Sequence, residues 1–443
     1  VLGAVLVFLL IQRTGGALDA PDATPVPVGE VSHPASGLLL HLLIALGLVM
    51  AVGRAIGRLF RSLGQPPVIG EVVGGILLGP SLLGWLSPGA YAFVLPTAVT
   101  PVLGAVAQLG VILYMFLVGL DLNPERLRNR VQSTIAISHS SIVAPFVLGA
   151  ALALFLYPRF STSAVPFTSF ALFVGVAMSI TAFPVLARIL ADRGLTRTEI
   201  GALALTCAAI ADVTSWCLLA FVVGIVQADT GAGVRVATLT SVFILLMFVV
   251  ARPVMARIAG RLAGEPGPDT VAFVLVALLA SALSTEAIGV HALFGAFLFG
   301  AVIPHESRLA GALHRSLSDL VTVLLLPAFF ASTGMRTEIG LLTDVTAWLV
   351  CGLIVVVATV GKFGGTFVAA RLTGIEPHSA AALGVLMNTR GLMELIVLNV
   401  GFEMGVISPT LFTMFVIMAL ATTLATTPIV ARLMNPERAV GRR

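Results

Sequence analysis

Lysine is almost absent from this chain. Of its 25 lysines and arginines, Lys362 alone is a lysine. Charged residues of either sign make up 10% of the 443 positions, and cysteines number three. No polar stretch is long enough to fold as a second, soluble domain. Each scarcity excludes something. The basic residues are scattered over short loops, so the net charge of +4 provides no nucleic-acid patch. Cys207, Cys217 and Cys351 all fall in apolar segments, where cysteine reads as a small buried hydrophobe and not as a disulfide or metal ligand.

What is abundant is apolar surface. Hydrophobic residues are 58% of the chain and the mean hydropathy is +1.07. A soluble core does not need that much, whereas a polytopic membrane protein does. Thirteen apolar segments are expected at 37–58, 67–86, 101–120, 133–157, 166–191, 200–226, 234–259, 270–287, 289–304, 316–335, 344–371, 379–403 and 408–433. Residues 1–11 are apolar and read as the tail of a fourteenth helix in preference to a signal peptide. Residues 12–36 read as an external loop. Arginines cluster after the odd-numbered segments, for example Arg54, Arg58 and Arg61, or Arg126, Arg128 and Arg130. By the positive-inside rule the C-terminus, with its short tail 435–443, is cytoplasmic.

The segments carry a faint internal repeat at an offset of seven. Segment 2 contains Gly70-Glu71-Val72-Val73-Gly74-Gly75-Ile76-Leu77-Leu78-Gly79-Pro80, and segment 9 contains Phe294-Gly295-Ala296-Phe297-Leu298-Phe299-Gly300-Ala301-Val302-Ile303-Pro304. Segment 3 ends in Gly119-Leu120-Asp121, and segment 10 in Gly334-Met335-Arg336. An odd offset makes the copies antiparallel, as in many secondary transporters. The expected organisation is 37–226 as the first repeat, 227–265 as a linker helix and 266–434 as the second repeat.

Polar residues interrupt three of these segments. Asp212 sits mid-way along 200–226, and an ionisable group at that depth reads as an ion or proton site. The alternative is an aspartate satisfied by Thr214, Ser215 and backbone. Segment 5 holds Ser179-Ile180-Thr181-Ala182-Phe183-Pro184, whose proline removes one helical hydrogen bond. Segment 12 holds Asn388-Thr389-Arg390-Gly391 followed by Glu394. A break there puts Arg390 at the negative end of one half-helix and Glu394 at the positive end of the next. Lys362 lies within Gly361-Lys362-Phe363-Gly364-Gly365 of segment 11. A buried lysine can give up its proton where arginine cannot; the alternative is a lysine snorkelling from a helix end.

Together these stretches resemble the monovalent cation:proton antiporter-2 superfamily, in particular its plant cation/H+ exchanger and Kef-like branches. The likeness rests on Gln65 to Glu71, Ser179 to Leu190, Ala211-Asp212-Val213 with Trp216, His291 to Pro304, Gly361-Lys362 and Leu386 to Asn399. It implies an all-α polytopic membrane protein of about 13 helices, possibly 14, with two crossed broken helices in a core domain and a separate dimerisation domain. It also implies a homodimer in a lipid bilayer, of the bacterial inner or plasma membrane, without a cofactor. The implied activity is exchange of K+ or Na+ for H+ by elevator-type alternating access, K+ being put first. Asp212 would hold the alkali cation or the proton, with Thr181, Ser179 and Ser215 around it. Lys362, Arg390 and Glu394 would compensate charge, and Pro184, Asn388, Thr389 and Gly391 would shape the breaks. One departure stands out: electrogenic relatives carry an aspartate before the conserved one, and this chain has Ala211. Two alternatives accompany this reading, a Kef-like gated K+ channel and an organic-anion carrier of similar fold. No soluble regulatory domain and no enzyme motif is expected within this chain.

Overall fold

The computed structural model describes residues 35–121, 131–161, 165–196, 198–227, 232–262 and 264–434. Every regular element among them is helical. The compact unit that begins at His41 carries every site residue described below. The expected helix at 1–11 and the tail 435–443 lie outside the described residues.

In chain order the helices are α1 (Ala35–Ser62), α2 (Pro67–Leu78), α3 (Pro88–Val94), α4 (Val99–Leu120), α5 (Val131–Phe160), α6 (Phe167–Ser179), α7 (Phe183–Asp192), α8 (Glu199–Gln227) and α9 (Ala232–Leu246). There follow α10 (Arg252–Arg261), α11 (Pro268–Ile288), α12 (Ala292–Val302), α13 (Arg308–Leu320), α14 (Leu326–Met335), α15 (Val345–Leu372), α16 (Pro377–Met387), α17 (Leu392–Glu403) and α18 (Pro409–Leu433). Ten helical runs among the described residues are long and apolar enough to cross a membrane. The three remaining apolar segments are helical but short or broken: α6–α7, α12 and α16–α17.

Three prolines mark two runs that continue and one that stops. Pro253 and Pro327 each follow a π-helical turn, Met247–Ala251 and Val321–Leu325. Widening the turn relieves the clash of the ring with the carbonyl four residues back, and the helix carries on. Pro184 is different. It is the second residue of α7, where its missing N–H costs no helical bond, so the break lies just before it at Ile180–Ala182. The cysteine expectation needs one correction. Cys207 and Cys351 are buried, but Cys217 is exposed and lines a cavity between α8 and α9. Packing determines which face of a uniformly apolar helix turns outward, and segment composition carries no sign of it.

The repeat visible in the sequence has a counterpart in the packing. α2 packs on α14, and α12 packs on α4. α5 packs on α6 and α8; in the same way α15 packs on α16 and α18. α4 meets α14, and α5 meets α15, across the centre. Exchanging each element for the one seven segments away maps this set of pairs onto itself, as an inverted repeat requires. Two groups result, α2, α4, α12 and α14 on one hand and α5–α8 with α15–α18 on the other. The repeated glycines make both crossings of the first group. A Cβ on Gly334 would lie 2.8 Å from the carbonyl carbon of Gly75, and one on Gly119 would lie 3.0 Å from Cα of Gly300. Backbones this close leave no space for a side chain.

A bulky residue at either crossing must push whole helices apart. Gly119→Val or Gly334→Val is expected to destabilise the protein by about 1–3 kcal/mol or more, read as a lower Tm in detergent. Gly352→Ala on α15 faces open space and is expected to leave Tm unchanged or raise it. Equal Tm for all three would contradict the close crossings.

Candidate ion-binding site

The two broken helices cross at their breaks. Among Ile180, Thr181 and Ala182 the chain is extended, and the N–H of Ala182 donates to the carbonyl of Thr389 at 3.0 Å. The Thr181 hydroxyl donates to the carbonyl of Met387, the last residue of α16, at 3.3 Å. Gly391 takes φ 155° at the start of α17. A side chain there would be strained and would also lie 2.9 Å from Val185 of α7. Each break therefore supplies hydrogen bonds that the other lacks.

The carboxyl end of α6 receives both buried cations. Arg390 donates through Nη1 to the Ala177 carbonyl at 3.2 Å and through Nη2 to the Met178 carbonyl at 2.7 Å. Lys362 Nζ donates to the next carbonyl, that of Ser179. The last three carbonyls of α6 have no helical partner and carry the negative end of its dipole, so two cations there are stabilised locally. Arg390 was expected at the negative end of its own helix, α16; its guanidinium instead reaches across to α6. Its ion pair with Glu394, 2.9 Å one turn on, is the expected one. Both side chains are fully buried. Glu394 lies in the first turn of α17, at the positive end.

Lys362 does not snorkel. It is 0% exposed, on a stretch of α15 held tightly against α5. A Cβ on Gly361 would lie 2.8 Å from Pro145 Cα, and the Ser140 hydroxyl donates to the Gly365 carbonyl at 2.9 Å. The glycines flanking Lys362 bring α15 close enough to deliver the ammonium to the break.

Asp212 is buried in α8, and neither of its carboxylate oxygens has a hydrogen-bond partner among the described residues. Lys362, Tyr114 and the Phe183 amide that opens α7 are among its neighbours. The alternative of a locally satisfied aspartate does not hold. The Thr214 hydroxyl donates to the Ile210 carbonyl, and the buried Ser215 hydroxyl, one turn from Asp212, is itself unpartnered. Asn388 Oδ1, at the second break, is unpartnered too. The Ser179 hydroxyl donates to Val176 and that of Thr389 to Leu386, which leaves their oxygen lone pairs free. These are hard oxygen donors of the kind that suits alkali cations.

Thr423 was not legible as a site residue in the sequence. Thr423 of α18 both accepts from the Arg390 N–H and donates to the Arg390 carbonyl. A signal existed in the spaced pairs Thr422-Thr423 and Thr426-Thr427 inside an apolar helix. A cavity of about 360 Å3 is lined by Gln108, Glu286, His291, Arg336, Asn399 and Glu403, among others, and Asp212 is not on its wall. At its rim Arg336 donates to Glu403 at 2.8 Å and to Asn399 at 2.9 Å, while Gln108 donates to Glu403 at 3.1 Å. Just past α4, Asp121 stands 3.6 Å from His314. Burial raises the Asp121 carboxyl above its ordinary range, and His314 offsets part of that.

A profile of the family described as sodium/hydrogen exchanger, transmembrane, matches residues 47–435. The chain belongs to the sodium/hydrogen exchanger family. Members of this family are membrane transporters and not enzymes, they use no cofactor, and this member is an integral membrane protein. It is 45% identical to the Na+/H+ antiporter NhaS4 of Synechocystis sp., over 89% of this chain and 97% of that protein. It is 40% identical to Cation/H+ antiporter 20 of Arabidopsis thaliana and 32% identical to K+/H+ antiporter 1 of Saccharomyces cerevisiae. The chain spans about half the length of the plant relative, 51%, and 48% of the yeast one. Its fold is similar to that of the sodium proton antiporter MjNhaP1 from Methanocaldococcus jannaschii, with a TM-score of 0.63 at 15% identity over 89% of this chain and 96% of that one.

Removing one partner of the buried Arg390–Glu394 pair strands the other charge. Arg390→Gln or Glu394→Gln alone is expected to cost about 3–5 kcal/mol, seen as a large drop in Tm. Arg390→Met combined with Glu394→Leu should cost clearly less than the two single changes summed. Strict additivity would show that the pair is not coupled.

Proposed function

We propose that this exchanger swaps a monovalent alkali cation for H+, with Asp212 as the group that holds one or the other. The observation that carries the reading is a buried carboxylate with both oxygens unpartnered, in a chain of the exchanger family. An isolated carboxylate out of water is strongly unfavourable unless it is neutralised. A proton does that, and so does a cation whose remaining ligands are neutral oxygens. Ser215, Asn388, Thr181 and Ser179 supply those oxygens in this reading. Because one carboxylate accepts one proton or one cation, each displaces the other.

Movement between the two membrane faces is assigned to the group holding both breaks, α5–α8 with α15–α18, sliding against α2, α4, α12 and α14. Lys362, Arg390 and Glu394 travel with it. Replacing H+ by the cation on Asp212 leaves the charge of that group unchanged, so exchange is one-for-one and electroneutral. A homodimer in a plasma membrane of bacterial type, with its C-terminus in the cytoplasm, completes the proposal. K+ is put first on the likeness to the plant and Kef-like branches; the named relatives divide between Na+ and K+.

In proteoliposomes with a pH-sensitive dye, cation pulses should release protons, and rates in Li+, Na+, K+ and Rb+ rank the cations. Asp212→Asn should reduce the signal to that of empty vesicles while keeping the wild-type Tm. Normal exchange by a folded Asp212→Asn protein would sink the mechanism. Solid-supported membrane recordings test the stoichiometry, for which no steady transport current is expected. Steady currents that vanish in Lys362→Gln, with dye-detected exchange persisting, would assign a second proton to Lys362 instead.

A further inference from the structure

The inverted repeat makes two breaks but treats them differently. Asp212 in α8 and Thr423 in α18 lie at almost the same depth in equivalent helices, which begin at Glu199 and Pro409. Each stands opposite the break of its own repeat. Asp212 is near the Phe183 amide, and neither of its oxygens has a partner within hydrogen-bond geometry. Thr423 is 1% exposed and meets the second break at Arg390. Its hydroxyl accepts from the Arg390 N–H at 3.0 Å and donates to the Arg390 carbonyl at 2.7 Å.

At the first break, the carbonyls of Ala177, Met178 and Ser179 are taken by Arg390 and Lys362, and the N–H of Ala182 by the Thr389 carbonyl. At the second break, the N–H of Thr389 is bonded to Leu386, and its carbonyl to Ala182. Both backbone groups of Arg390 then rest on one side chain, Thr423. In a membrane interior no bulk water is at hand to replace it. The orientation of Arg390 follows, because its backbone must be held for its guanidinium to reach three acceptors on two helices.

We propose that Thr423 is a positioning residue for transport: its hydroxyl clamps the second break and aims Arg390 at the end of α6, while the equivalent place in the other repeat holds Asp212, a carboxylate with both oxygens open. The substitution of a neutral, self-satisfying hydroxyl for a carboxylate at the equivalent place turns one half of the repeat into a fixed support. The other half remains free to bind. The transport consequence rests on the proposed function above; the clamp itself does not.

The test compares Thr423→Ala and Thr423→Val with Thr423→Ser, in the whole 443-residue chain. Hydrogen exchange followed by mass spectrometry on peptides covering 385–395 reads the clamp without reference to transport. Exchange there should accelerate in the alanine and valine variants and stay at the wild-type rate in the serine variant. In proteoliposomes, turnover should fall about tenfold or more in Thr423→Ala, with the pH midpoint of exchange displaced, and Thr423→Ser should restore both. If Thr423→Val fails to fold, the alanine and serine pair decides alone. Equal turnover and equal pH midpoint in Thr423→Ala and wild type would overturn the proposal. So would a serine variant as impaired as the alanine one, since that marks a packing role. A wild-type protein that shows no exchange would sink the transport reading, whereas loss of the hydrogen-exchange contrast would sink the clamp.

Discussion

Two helices broken inside a membrane expose backbone N–H and carbonyl groups that lipid cannot bond. That debt governs the arrangement of everything near the centre of this protein. The breaks cross because each provides part of what the other lacks, through Ala182 with Thr389 and Thr181 with Met387. Arg390 and Lys362 are drawn to the end of α6 for the same reason, as donors to carbonyls without a helical partner. Once those groups are satisfied, what stays unsatisfied is informative. Asp212, Ser215 and Asn388 retain free oxygens in the same unit that carries the breaks.

Charge balance follows from this arrangement. Four buried ionisable groups, Asp212, Lys362, Arg390 and Glu394, belong to one set of packed helices. Arg390 and Glu394 pair directly. Lys362 has a carbonyl and not a carboxylate as its hydrogen-bond partner. The absence of an acid at Ala211 thus has a structural counterpart, because the lysine is anchored to the end of a helix. Its ammonium still acts on Asp212 through space, which is a weaker constraint than an ion pair and leaves the aspartate open to exchange its occupant.

The frame that holds this centre is made of small residues. Gly75 with Gly334, and Gly119 with Gly300, allow backbones to touch where a side chain would hold them apart. Gly361 and Gly365 do the same for α15 against α5, and so deliver Lys362. The glycines that made the internal repeat visible in the sequence are therefore the residues that build its contacts. The rim network of Arg336, Glu403, Asn399 and Gln108 ties α17 to α4 and α14, bridging the two helix groups.

The sequence alone determined a great deal here, because a bilayer leaves few choices. Long apolar runs must be helices, rare polar residues inside them must have a purpose, and an odd-offset repeat must be antiparallel. Class, the two broken segments, the depth of Asp212 and Lys362 and the Arg390–Glu394 pair were all legible in that way. What only the tertiary structure decided are relations between segments distant in the chain. These include which carbonyls Arg390 caps, where the breaks meet, that Ser215 and not Thr214 is left free, that Cys217 is exposed, and that Thr423 meets the second break at Arg390. The physical reason is that hydropathy reports how deep a residue lies, whereas hydrogen-bond partners depend on the rotation and crossing of helices, and uniformly apolar helices encode these through the placement of small residues and close packing.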